Sequence, residues 1–131
     1  MKKMIKLEIN NANPKNKKTS DCVIRAITLA TGKDYYEVLD EIILVSKKTG
    51  FMITDKKCIE KYLEQLGYTK YKQPRKLNNT KYLVGEIMEV TKAKNVIVSC
   101  AGHLTVVVNG VLNDIWDCRY KCISNYYVKS E

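Results

Sequence analysis

The sequence predicts an α+β domain, with helices in its N-terminal part packed on a C-terminal antiparallel sheet. Three observations carry this. Apolar residues recur at helical spacing between positions 22 and 66. The character changes after position 94, where short β-branched runs such as NVIVSCA and HLTVVV take over. Asn109-Gly110 then separates two apolar runs, the strongest short-range hairpin signal a sequence carries. Helices first and strands second segregate into an α+β arrangement.

The elements follow in order. Residues 3–9 alternate weakly and predict a short edge strand, and residues 10–20, NNANPKNKKTS, read as a polar loop. A helix opens near Asp21 and Cys22, with Val23, Ile24, Ile27 and Ala30 as its apolar stripe and Gly32 as its stop. Asp21 is the natural N-cap. Asp34 and Glu37 have capping-box spacing for a second helix over about 35–47. Thr54 is placed to cap a third, which turns Ile59, Tyr62, Leu63 and Leu66 inward and ends at Gly67. Residues 68–79 read as a lysine-rich connection, and Thr80 caps a fourth helix over about 81–92. Strands follow at 95–101, 103–108, 111–118 and 123–128. Segments 46–58 and 68–79 are the loops expected to border a cleft.

Length and composition bound the function. The 131 residues, 45% apolar and 28% charged, suit one domain spanning 1–131 with a core of its own. No stretch has the roughly 20 apolar residues that cross a bilayer, and the basic start MKKMIKLEINN is too broken for a secretory signal. Both point to the cytoplasm and to no membrane partner. Five cysteines, Cys22, Cys58, Cys100, Cys118 and Cys122, form no even framework and suit reduced thiols. The net charge of +9 is compatible with nucleic acid, but the lysines are dispersed rather than clustered, which does not favour that partner. Tyr62 and Tyr126 are expected at core edges with outward hydroxyls, and Tyr35, Tyr36, Tyr120 and Tyr127 are open to either packing or a partner surface.

The chemistry centres on the one histidine, His103. A two-residue turn at 109–110 pairs Val108 with Val111, Thr105 with Asp114 and His103 with Trp116. Opposed residues share a face, so Asp114 is a diagonal neighbour of His103 and is placed to orient its ring. Asp117 has the other parity and needs a bulge to serve instead. Cys22, at a helix start, sits where unpaired N–H groups and the helix dipole lower a thiol's pKa. A rival reading takes Cys100, His103, Cys118 and Cys122 as four zinc ligands.

The order is a Cys opening a helix, then helices, then His heading a strand, then Asp on the next. With the segments SDCVIRAI, GHLTVVV and DIW, it resembles the papain-like cysteine peptidase superfamily, in particular its compact bacteriocin-processing and NlpC-type branches. DIW is similar to the Asn-Ser-Trp of papain-type enzymes, and the likeness covers roughly residues 13–128 in order of elements. The resemblance implies a hydrolase or acyl transferase acting on a peptide, isopeptide, other amide or thioester bond, with a protein or peptide substrate and no cofactor. Cys22 would be the nucleophile, His103 the base and Asp114 the third member, with Asp117 the alternative. It also implies a side-chain amide six residues before the nucleophile as oxyanion donor, which here is Asn16, with Asn13 a substitute. The pattern further resembles small proteins of bacteriophages and low-GC bacteria, which implies a host cytoplasm. A papain-like domain that binds and blocks a partner without catalysis is the remaining alternative.

Overall fold

The structure, a computed structural model, describes residues 4–130. Its elements run β1 (Lys6–Ile9), α1 (Cys22–Thr31), α2 (Tyr35–Thr49), α3 (Lys56–Gln65), β2 (Tyr68–Tyr71), a 3₁₀ segment (Val84–Glu89), β3 (Asn95–Cys100), β4 (His103–Val108), β5 (Val111–Asp114) and β6 (Ile123–Lys129). Residue 3, where the expected first strand begins, lies outside the described residues. Three α-helices pack on a six-stranded sheet of order β1-β5-β4-β3-β6-β2. The α+β class holds, but the sheet is mixed rather than purely antiparallel. β1 runs parallel to β5, pairing Leu7 with Leu112 and Ile9 with Asp114, while every other ladder is antiparallel.

The helices end and begin as their residues dictate. Gly32 and Gly50 close α1 and α2 with φ of 73° and 82°, a left-handed backbone that glycine adopts without a Cβ clash. Asp34 caps α2 by accepting from the N–H of Tyr36 and of Glu37. The third helix is capped at Asp55 rather than Thr54. Asn109 (φ 50°) and Gly110 (φ 76°) make the expected two-residue turn, and Val108 pairs with Val111.

Two expectations fail in the middle of the chain. Residues 68–71 form a strand, not a connection. Tyr68, Thr69 and Tyr71 favour a pleated surface, and the lysine between them suits an edge strand that meets water. No α-helix covers 81–92. The N–H groups of Val84 and Gly85 donate to the carbonyls of Lys121 and Arg119, at 2.8 and 2.9 Å. Backbone bound to a neighbouring loop is not free for a helical ladder. A Cβ on Gly85 would lie 2.9 Å from the Met4 sulfur, so the segment also approaches its neighbours too closely for a larger residue.

Each face of the sheet is covered. The helices bury Val23, Ile27, Val38, Ile42 and Leu63 against Ile97, Leu104, Val106 and Tyr127. The opposite face packs Val96, Val98, Val107, Leu112 and Ile123 against Ile5, Val84 and Ile87. Tyr62 is fully buried, not at an edge, and its hydroxyl donates to Glu41 at 2.7 Å. Tyr35 and Tyr127 are buried as well, whereas Tyr36 and Tyr120 are exposed. Among the described residues no helix is long and apolar enough to cross a membrane.

Candidate functional site

The first residue of α1 and the first residue of β4 meet at one end of the sheet. Cys22 and His103 line the same cleft, of about 460 Å³, together with Leu104, Ile115 and Trp116. Of the two loops expected to border it, 46–58 contributes Thr54 and Lys56, while no residue of 68–79 lines it.

Asp114 ends β5 and is 2% exposed, so its charge has to be met inside the protein. Five groups meet it. Oδ2 takes the His103 Nε2 proton at 2.6 Å and the Thr105 hydroxyl at 2.6 Å, with the Cys118 thiol at 3.6 Å. Oδ1 accepts from the Ile115 N–H at 2.7 Å and from Arg25 Nη1 at 3.1 Å. Burial by itself would raise this carboxyl. The bonds from His103 and Thr105, the His103 charge and the Ile115 N–H outweigh it and hold Asp114 down to about 2.

An ionised carboxylate can only accept, so Nε2 of His103 carries the proton. That leaves Nδ1 as the nitrogen free to serve Cys22, which lines the same cleft and whose pKa the ring lowers. Burial disfavours the imidazolium. The bond to Asp114, the neighbouring Cys118 and Cys22 thiols and the Asp114 charge overcome it and push His103 up to about 11. At Cys22, burial again favours the neutral thiol. The nearby His103 ring and Leu104 N–H, with the His103 and Arg25 charges, offset it and hold the thiol below its ordinary value. The Trp116 ring lies 4.9 Å from the His103 ring, tilted by 54°.

Asp117 does not take part. It is exposed and forks with Arg119, whose Nε and Nη2 each lie 2.9 Å from its oxygens. Asp117→Asn should therefore leave the alkylation rate of Cys22 by iodoacetamide within about twofold, while Asp114→Asn should slow it about tenfold or more, because one unit of thiol pKa is tenfold in thiolate. Mass spectrometry of the Cys22 peptide over time reads both.

Asn16 is exposed, in a left-handed backbone conformation (φ 53°), and is not among the cleft-lining residues. The expected oxyanion amide is thus not at the cleft. Asn13 is committed elsewhere, its amide donating to Asp21 Oδ2 at 2.9 Å. The zinc set is not assembled either. Cys122 is exposed, and the ligand atoms that lie within 4.8 Å of one another among the described residues belong to His103, Asp114 and Cys118. In that cluster Arg25 already supplies a cation to Asp114.

The sequence reading missed Arg25. It is 4% exposed and bridges the two acids, with Nε 2.8 Å from Asp21 Oδ1 and Nη1 on Asp114. Its signal was present as an Arg inside the apolar stripe CVIRAI, four residues after Asp21. Asp21 is not a side-chain cap. Its carboxylate accepts from Tyr35 at 2.6 Å, Asn13 and Arg25. The Arg25 guanidinium largely cancels the repulsion that Asp21 would exert on a neighbouring thiolate.

Comparison with protein-family models, with curated proteins and with solved structures finds no match to this chain.

Proposed function

We propose that this chain is a papain-like cysteine hydrolase or acyl transferase that acts on a peptide, isopeptide, other amide or thioester bond. The observation that carries the reading is the chain Asp114–His103–Cys22. A saturated carboxylate holds Nε2 of the ring at 2.6 Å, and the ring shares one cleft with a thiol of lowered pKa at a helix start. Three helices on a sheet, with the thiol on α1 and the imidazole heading β4, support the papain-like assignment over an unrelated Cys-His enzyme.

The chemistry follows from the protonation states. The Cys22 sulfur attacks the carbonyl carbon, and the carbonyl π pair moves onto oxygen. First-turn N–H groups of α1, Cys22 among them, have no helical partner and suit the developing oxyanion. When the tetrahedral centre collapses, the bond to the leaving nitrogen or sulfur breaks, and that atom takes the Nδ1 proton of His103. The product is a Cys22 thioester. Water, or an acceptor amine, then gives its proton to Nδ1 as it attacks the thioester, and the thiolate departs. Asp114 keeps the ring oriented and its charge offset throughout.

A chloromethyl ketone dipeptide provides the test. One equivalent is expected to attach to Cys22 and not to Cys58, Cys100, Cys118 or Cys122, and Cys22→Ala should remove labelling with an unchanged circular dichroism spectrum. Equal labelling of several cysteines would sink the enzyme and favour a domain that acts by binding alone.

A further inference from the structure

The helix-facing side of the sheet changes character as it reaches the cleft. One cross-strand row is Val106–Ile97–Tyr127, wholly apolar and buried under the helices. The next row on that face is Leu104–Ser99–Asn125. All three of its members line the cleft that holds Cys22 and His103. Directly opposed residues share a face, so Ser99 and Asn125 form a polar pair on the cleft floor. Val23 and Ile59 from the helices, with Tyr127, give that floor apolar walls.

One atom of this pair is unsatisfied. Among the described residues, two buried side-chain polar atoms lack a hydrogen-bond partner, Thr28 Oγ1 and Asn125 Oδ1, and only the second belongs to a cleft residue. A buried amide oxygen left without a donor is costly, so one in a cleft calls for a partner that would donate to it. Of the charged residues that line the cleft, Arg25 and Glu60 are engaged and Lys56 is exposed. Arg25 holds Asp21 and Asp114, and Glu60 holds Lys70 at 2.8 Å. The floor therefore suits a neutral group that both donates and accepts, carried on an apolar stem.

We propose that the Ser99–Asn125 pair on the cleft floor is a specificity site for a side-chain carboxamide, glutamine above all, of a polypeptide substrate. A carboxamide is self-complementary to Asn125. It can donate to Oδ1 and accept from Nδ2, and the soft terminal torsion of asparagine lets the amide turn either end toward the cleft. The methylene stem of glutamine fits between Ile59 and Tyr127. A carboxylate of the same shape can only accept, so it would leave Asn125 Oδ1 without a donor. The proposal rests on the reading of Cys22 as an acyl-transfer nucleophile only for the bond that is cut, not for the side chain that is bound.

The test uses dipeptidyl chloromethyl ketones carrying Gln, Glu or Leu at either position, each labelling rate divided by the iodoacetamide rate of the same protein. Wild type should take the Gln probe about tenfold or more faster than the Glu or Leu probe, since a site built to hydrogen-bond a group rejects analogues lacking it. Asn125→Leu should bring Gln and Leu within about twofold. Ser99→Ala serves as a second variant should that one fail to fold. Equal rates for the three probes in wild type, or an undiminished Gln advantage in both variants, would overturn the proposal. Calorimetric titration of Cys22→Ala with acetylated glutamine dipeptide amide keeps the two questions apart. Saturable binding that Asn125→Leu removes supports the site even if Cys22 shows no selective reactivity, and no binding beyond that of the leucine analogue counts against it.

Discussion

In His103→Ala, alkylation of Cys22 at pH 7 is expected to fall on the order of 10- to 100-fold, and its pH profile to move bodily to the alkaline side. In the native protein the thiol lies below its ordinary value because the nearby His103 ring and Leu104 N–H favour the thiolate, against the opposing effect of burial. Remove the ring and burial dominates, so the thiol rises. The imidazolium of the native pair persists to about 11, and the rate should therefore climb through the lowered Cys22 pKa and stay level until that pH. The variant should instead climb only above the ordinary thiol range. A more basic thiolate is also a better nucleophile, but with a Brønsted slope of about 0.4–0.5 that gain recovers less than half of the loss on a logarithmic scale. Rates measured from pH 5 to 11 decide the matter. Superimposable acid limbs would show that the ring does not activate the thiol.

The largest effect on stability is expected at Arg25. Arg25→Ala should cost about 3–5 kcal/mol at pH 7, the usual range for breaking a buried ion pair by removing one partner. Two carboxylates, Asp21 and Asp114, would stay buried with no guanidinium between them. The effect should depend on pH in a defined sense. In the native protein both acids titrate below 3.8, so the stability they contribute is complete above that pH and is lost as pH falls toward 2. Without Arg25, burial acts with less opposition and their folded pKa values rise. Where these exceed the unfolded value, acid protonates the folded state preferentially and stabilises it. The gap between variant and native protein should therefore narrow as pH drops from 7 to 4. Urea unfolding at the two pH values measures it, and a gap independent of pH would mean the loss is one of packing alone.

The legible parts of this chain were those with local chemistry. Gly32 ends a helix, Asp34 caps the next, and Asn109-Gly110 sets a hairpin register; each acts over a few residues. That register placed Asp114 beside Thr105 and within reach of His103, so two members of the candidate triad could be read from turn geometry. The remaining features depend on partners remote in sequence. The parallel pairing of β1 with β5 joins residues about a hundred positions apart, and nothing in KLEI selects a parallel neighbour. The segment at 84–89 gives its N–H groups to a loop more than thirty residues later, which overrides its helical spacing. Asn16 has the spacing that the resemblance implies for an oxyanion donor, but a left-handed turn carries it to the surface. Arg25 is hard to read from sequence because an apolar helix stripe hides a charge whose two partners lie far apart in the chain.

The buried polar core of the site has an order of its own. Asp21, Arg25, Asp114, His103 and Cys22 follow one another in space, and with an ionised thiol and a charged ring their signs alternate from one end to the other. An alternating row tolerates the loss of a terminal link, since what remains is still matched. Deleting an interior link leaves two like charges as nearest neighbours. Silencing the reactive sulfur should thus spare the scaffold, whereas damage to the guanidinium undermines the whole row. Chemistry hangs on the rim of this assembly, and cohesion on its middle.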